Sequence, residues 1–222
     1  MEREVNLNDI QKLYGLNDMV KADSDGCHGC SDCCRGMGNS IILDPLDSYR
    51  LQVGLHTLFQ GLLTDKVELN VVDGLILPNL KMAGEQEACV FLNTEGRCSI
   101  HGHRPGLCRL FPLGRYYEDG GFKYYLQTQE CTKPNKSKIK VKKWIDTPDF
   151  KENEKFIVSW HYFLKNLQER INDTKDEDLK KDINTYVLNT FYIKPYQGEE
   201  SFYIEFQDRL TEIEKVVAAV SW

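Results

Sequence analysis

The sequence predicts an α+β fold, with a loop-rich cysteine-cluster region of short strands and helices over residues 1–145 and a C-terminal helical region over 146–222 packed on it. Three observations predict it. All eight cysteines fall before residue 132, short apolar runs in that part are separated by turn dipeptides, and apolar residues beyond Thr147-Pro148-Asp149 recur at helical spacing.

The elements follow in chain order. Ser40-Ile41-Ile42-Leu43 reads as a short strand, after which Asp44 caps a helix running through Tyr49 and Leu51, with Pro45 at its first position. Val67 to Leu77 carries Asp73-Gly74, a hairpin dipeptide between apolar runs. Ala88 to Leu92 turns through Asn93-Thr94-Glu95-Gly96 into Arg97 to Ile100, and Arg115 to Gln127 repeats that form around Glu118-Asp119-Gly120-Gly121.

Three helical stripes close the chain. Phe156, Ile157, Trp160, Phe163, Leu164 and Leu167 form the first, and Leu179, Ile183, Tyr186, Val187 and Phe191 the second. Phe202, Phe206, Leu210, Ile213, Val217 and Val220 step by threes and fours along one face of the third. Stripes of this kind pack a core. Pro195 and Gly198 separate the second helix from the third.

Composition narrows the class. With 41% hydrophobic and 28% charged residues the chain is an ordinary globular one, long enough to bury a core without disulfides. No window approaches the ~18 apolar residues of a membrane helix, and Met1 to Asn6 lack the apolar stretch of a secretion signal, which predicts a cytoplasmic protein with no membrane partner. The formal charge of −6 argues against a nucleic-acid partner. One basic run stands apart: Lys133, Lys136, Lys138, Lys140, Lys142 and Lys143 are expected on a solvated strand or loop, with an anionic partner as the alternative.

Gly26-Cys27-His28-Gly29-Cys30-Ser31-Asp32-Cys33-Cys34-Arg35-Gly36 carries the chemistry. Two residues between cysteines let a tight turn aim both sulfurs at one ion, and the flanking glycines permit positive φ. The C-x2-C-x2-C spacing is also that of a ferredoxin opening. Cys33 and Cys34 are neighbours whose side chains diverge in most conformations, so they are expected to serve two centres or to leave one thiol packing. Further ligands are expected from Cys89, Cys98, Cys108 and Cys131, with His101 as a candidate nitrogen donor and His103 undecided. His28, His56 and His161 are expected at the surface or in packing. Four disulfides are disfavoured in a reducing cytosol, and no βαβ context supports a thioredoxin-type C-x-x-C.

These residues, followed by Cys98-Ser99-Ile100-His101 and by Arg104-Pro105-x2-Cys108-Arg109-x-Phe111-Pro112, resemble the CxxCxxCC or YkgJ-like cysteine-cluster family, a zinc- or iron-chelating domain. The resemblance spans Cys27 to about Cys131 and implies that its cysteines chelate metal. His101 stands where a Tyr is expected. The same domain type is similar to part of flagellin lysine N-methylases, which raises a group-transfer reading, although no Gly-rich strand-to-helix fingerprint marks an S-adenosylmethionine pocket. Within the Arg104–Pro112 segment, Arg104 or Arg109 is expected either to offset thiolate charge or to pair with surface carboxylates.

The expected cofactor is thus an iron–sulfur cluster or Zn2+, held by Cys27, Cys30, Cys33, Cys34, Cys89, Cys98, Cys108 and Cys131. An iron–sulfur protein with redox or group-transfer activity predicts a cavity beside the metal; a zinc-stabilised structural or interaction module predicts closed four-ligand coordination. A protein or small-molecule partner is expected in either case. No Ser-His-Asp set, Walker loop or H-E-x-x-H names a catalytic residue, and Cys34 is the first to test if one thiolate is not a ligand.

Overall fold

A computed structural model describes residues 10–23, 30–128, 130–131, 133–198, 200–220 and 222. It is α+β, with short strands in small sheets ahead of three long C-terminal helices. The chain opens with β1 (Leu13–Tyr14) and β2 (Met19–Asp23). Helices α1 (Pro45–Leu55) and α2 (Phe59–Asp65) lead into the hairpin β3 (Val67–Val72) and β4 (Leu75–Leu80).

Local chemistry explains these boundaries. Asp44 accepts the Asp47 amide at 2.8 Å and Asp47 accepts the Asp44 amide at 3.4 Å, a reciprocal capping box that opens α1 at Pro45. Asp73 and Gly74 both take positive φ, 49° and 84°, as a two-residue hairpin turn requires. The strand expected at Ser40–Leu43 is shorter than its sequence suggests. Only Ile42 bridges Asn79, with Leu43 donating to Pro78 and Leu80 to Ile41, because the capping box ends the extended run at Asp44.

Strands β5 (Met82–Ala83) and β6 (Ala88–Cys89) pair with each other. The turn at Asn93–Gly96 forms as expected, but the strands around it reduce to one bridge, Leu92 to Cys98, since a 3-10 turn at His101–His103 follows at once. Helix α3 (Gly106–Leu110) precedes the hairpin β7 (Leu113–Glu118) and β8 (Gly121–Leu126), which turns on Asp119 and Gly120 at φ 49° and 73°. The lysine run becomes β9 (Ser137–Lys140) and α4 (Val141–Ile145), with β9 antiparallel to β2.

The C-terminal helices are α5 (Phe150–Asp173), α6 (Glu177–Leu188) and α7 (Phe202–Ala219). Each turns its apolar stripe to the core, with Leu164, Leu179 and Tyr186 half-buried, while Phe191 lies on the turn after α6 and Val220 just past α7. Trp160, Phe163, Phe191 and Phe206 stack edge-on or tilted, with Trp160 and Phe191 centroids 4.9 Å apart. The same core takes in Leu43, Leu51, Cys89, Phe91 and Ile100 from the first half of the chain. Each fully buried side chain of this size contributes about 1.5–3 kcal/mol.

Polar anchors fix the halves in register. Asn184 on α6 accepts the Ile76 amide at 2.6 Å and donates to Gly74, and the Tyr192 hydroxyl donates to the Leu43 carbonyl at 2.9 Å. After α6 the backbone widens into a π turn at Asn189–Ile193. Buried Arg209 satisfies the carbonyls around its exit, donating to Thr190, Lys194 and Pro195. No helix among the described residues is long and apolar enough to cross a membrane.

Candidate metal centre

Seven cysteines, Cys30, Cys33, Cys34, Cys89, Cys98, Cys108 and Cys131, line one cavity of about 190 Å³. Cys33, Cys34, Cys89, Cys98, Cys108 and Cys131 are free thiols. Cys27 and His28 lie outside the described residues. The thiols reach the cavity on several differently built pieces of backbone.

Cys33 and Cys34 sit on a 3-10 turn, Asp32–Cys34, closed by the Cys34 amide on Ser31. Gly36 (φ 61°) donates to Glu87 and Arg35 bridges Ala88, which sets this turn beside Cys89 on β6. Cys98 follows an Asn93 loop in which the Asn93 side chain accepts the Glu95 and Arg97 amides at 3.1 and 2.8 Å. The carbonyl of Cys131 accepts from Lys136 Nζ at 2.6 Å.

Cys108 rides on α3, held at both ends. The Gly106 amide donates to Asp47 Oδ1 at 2.7 Å. Behind the thiol, buried Arg109 donates to the carbonyls of Gly102, Arg104 and Asp146 at 2.6, 3.2 and 3.0 Å. Arg109 thus lines the same cavity and, among the described residues, forms no ion pair with a surface carboxylate: its guanidinium staples the loop through three carbonyls. Arg104 lies on the cavity wall, where its charge favours the thiolates of Cys33 and Cys98, and it donates to the His101 carbonyl at 2.7 Å.

The expected divergence of Cys33 and Cys34 is not found. Their sulfurs lie 3.7 Å apart, because the 3-10 turn rotates both side chains to one side. Two thiolates on one tetrahedral ion with ~2.3 Å bonds stand about 3.8 Å apart, so this pair has the spacing of one edge of such a site. Among the described residues no group of three His, Cys, Asp or Glu side chains converges closely enough to hold an ion. The other thiols stand around the cavity rather than at a point within it.

Electrostatics favour charge capture. The hydrogen bond from Cys34 pushes the Cys33 thiol down to about 7, and the same shared proton together with burial pushes Cys34 up. Burial raises Cys89, Cys98 and, most of all, Cys108, which also faces the other thiols. A cation entering the cavity would displace these protons, and this donor set of soft sulfurs fits zinc or iron.

The histidines separate. His101 lines the cavity with Nδ1 3.1 Å from Arg104, and burial with the Arg104, Arg97 and Arg109 charges holds its imidazole toward the neutral form. His103 packs against Gly54, His56 ends α1 in a left-handed conformation, and His161 stacks on Tyr117 at 3.5 Å. The sequence did not mark the apolar wall of Ile41, Leu80, Met82, Phe91 and Trp144, since nothing local distinguishes it from core. Asp47 carried a signal, an acid three residues into a capped helix, but its second bond, to Gly106, is long-range.

The model of the CxxCxxCC family, described as "Putative zinc- or iron-chelating domain", matches residues 26–136. No curated protein and no solved structure matches the chain.

Proposed function

The chain belongs to the CxxCxxCC family of zinc- or iron-chelating domains, and we propose that its clustered cysteines hold iron as an iron–sulfur cluster for redox or group-transfer work. One observation carries this reading. Seven thiols line a single cavity, with Cys27 in the matched segment, whereas one tetrahedral ion uses four. The thiol surplus supports a polynuclear centre. Bound iron and sulfide would supply one-electron chemistry at this site.

The protein's own residues would set the conditions. Cys33 supplies a thiol whose ionisation is eased by its neighbour Cys34, and Arg104 offsets part of the negative charge that thiolates gather. Phe91, Ile100, Phe111 and Trp144 give the cavity an apolar wall that limits water. Eight cysteines clustered with metal-ligand spacing suit a reducing compartment, which supports a cytoplasmic location.

A second reading has its own support. The 3.7 Å spacing of Cys33 and Cys34 suits one tetrahedral ion, as in a zinc-stabilised structural or protein-interaction module without catalysis. A visible spectrum of protein purified without oxygen separates the two. A broad band near ~400 nm, with inorganic sulfide released by acid, supports the iron–sulfur reading. Colourless protein with stoichiometric zinc overturns it in favour of the module.

A further inference from the structure

The ribbon of β2 and β9 carries a basic face with one carboxylate, Asp23, at its far end, and we propose that this face docks an acidic, extended segment of a protein partner by strand addition along β9. Lys21, Lys138 and Lys140 are exposed on it, and Lys142 and Lys143 continue the exposed charge onto α4. Among the described residues none of these five lysines forms an ion pair. In a chain of formal charge −6 this is a local inversion of sign.

The register sharpens the point. Lys21 stands directly opposite Lys138, and like charges in that position oppose pairing. The inward residues Val20 and Ala22 are buried and hold the ribbon against Leu110, Leu113 and Val141, so the repulsion is tolerated by the core beneath. A neutral residue at either position would remove it at no cost to that packing. A partner that brings negative charge to this face would relieve the repulsion.

The geometry selects the kind of anion. Among the described residues β9 pairs only with β2, so its other edge keeps backbone donors and acceptors. Lysines along that edge repel a second copy of the same strand, yet they complement a strand with carboxylates at alternate positions, about 6.6 Å apart like Lys138 and Lys140. Exposed Met19, opposite Lys140, offers an apolar contact between the charges. The outer face has no aromatic ring for stacking bases and no arginine to fork a phosphate, which favours an acidic peptide over nucleic acid. The ribbon lies at the rim of the cysteine cavity, since Trp144 of α4 lines it and Lys136, just before β9, holds Cys131.

Fluorescence anisotropy with the full chain tests this. Three labelled probes are compared: a short peptide alternating Glu with Val or Thr, its isomer with the Glu residues in one block, and an oligothymidylate of equal charge. The alternating peptide should bind about tenfold tighter than its isomer, as expected if several cross-strand pairs form. K138E/K140E should abolish that preference while the far-ultraviolet circular dichroism stays unchanged. Equal binding of the two isomers, tighter binding of oligothymidylate, or no binding at low salt overturns the proposal. Because the isomer comparison uses the unaltered chain, the test survives a variant that fails to fold.

Discussion

Asp47 Oδ1 accepts the Gly106 amide at 2.7 Å, and this one bond couples the cap of α1 to the helix that carries Cys108. The two residues are 59 positions apart in sequence. Asp47→Ala should lose this bond and half of the capping box, destabilising the chain by about 1–3 kcal/mol in urea denaturation. Asp47→Asn keeps an oxygen for Gly106 and should lose less than half as much. Equal losses in the two variants would mean that the bond does not hold α3.

The same residue sets a pH dependence. Burial, helped by the neighbouring Asp44 charge, pushes the Asp47 carboxyl up to about 8, against about 3.9 when unfolded. Between those values the folded chain holds a proton that the unfolded chain has released. Its contribution to stability is full below about pH 4 and is lost as the pH rises towards 8. Wild type should therefore lose stability across that window relative to Asp47→Asn, measured at matched metal content. Parallel curves would contradict the assignment.

Gly54 is the close contact between α1 and the turn after Cys98. A Cβ there would stand 2.5 Å from His103 Cγ, near the root of the ring rather than its flexible end. Gly54→Ala should cost about 1–3 kcal/mol. Adding His103→Ala should restore most of it, since the clash then has no partner. Additive losses in the double variant would place the strain elsewhere.

Ligand thiols and packing histidines should part company on substitution. Cys30→Ser or Cys108→Ser should release metal and loosen the first half of the chain, read by metal analysis and circular dichroism. His56→Ala should do neither. Full metal occupancy in folded Cys30→Ser protein would remove Cys30 from the ligand set.

Much of the fold was legible because its signals are local. Asp73-Gly74 and Asp119-Gly120 need positive φ at both positions, and the stripe Phe202 to Val217 repeats every three or four residues. What stayed hidden depends on distant pairing. β2 reads as nothing until β9 covers it, and β5 is a strand only because Ala88 and Cys89 lie beside it. For the site, the spacing exposed the sulfurs and left their surroundings dark. No local pattern marks Arg109 as a staple for three carbonyls, or reveals that a 3-10 turn brings Cys33 and Cys34 to 3.7 Å.

Seven thiols that line one cavity should respond to a metal as one set. Thiol alkylation counted by mass spectrometry, before and after metal removal and alongside iron, zinc and sulfide analysis of the same oxygen-free sample, tests it most directly. Metal should protect Cys30, Cys33, Cys34, Cys89, Cys98, Cys108 and Cys131 together, and all should become reactive once it is removed. Unchanged labelling of these cysteines on metal removal, or protein purified in full without metal, would contradict it.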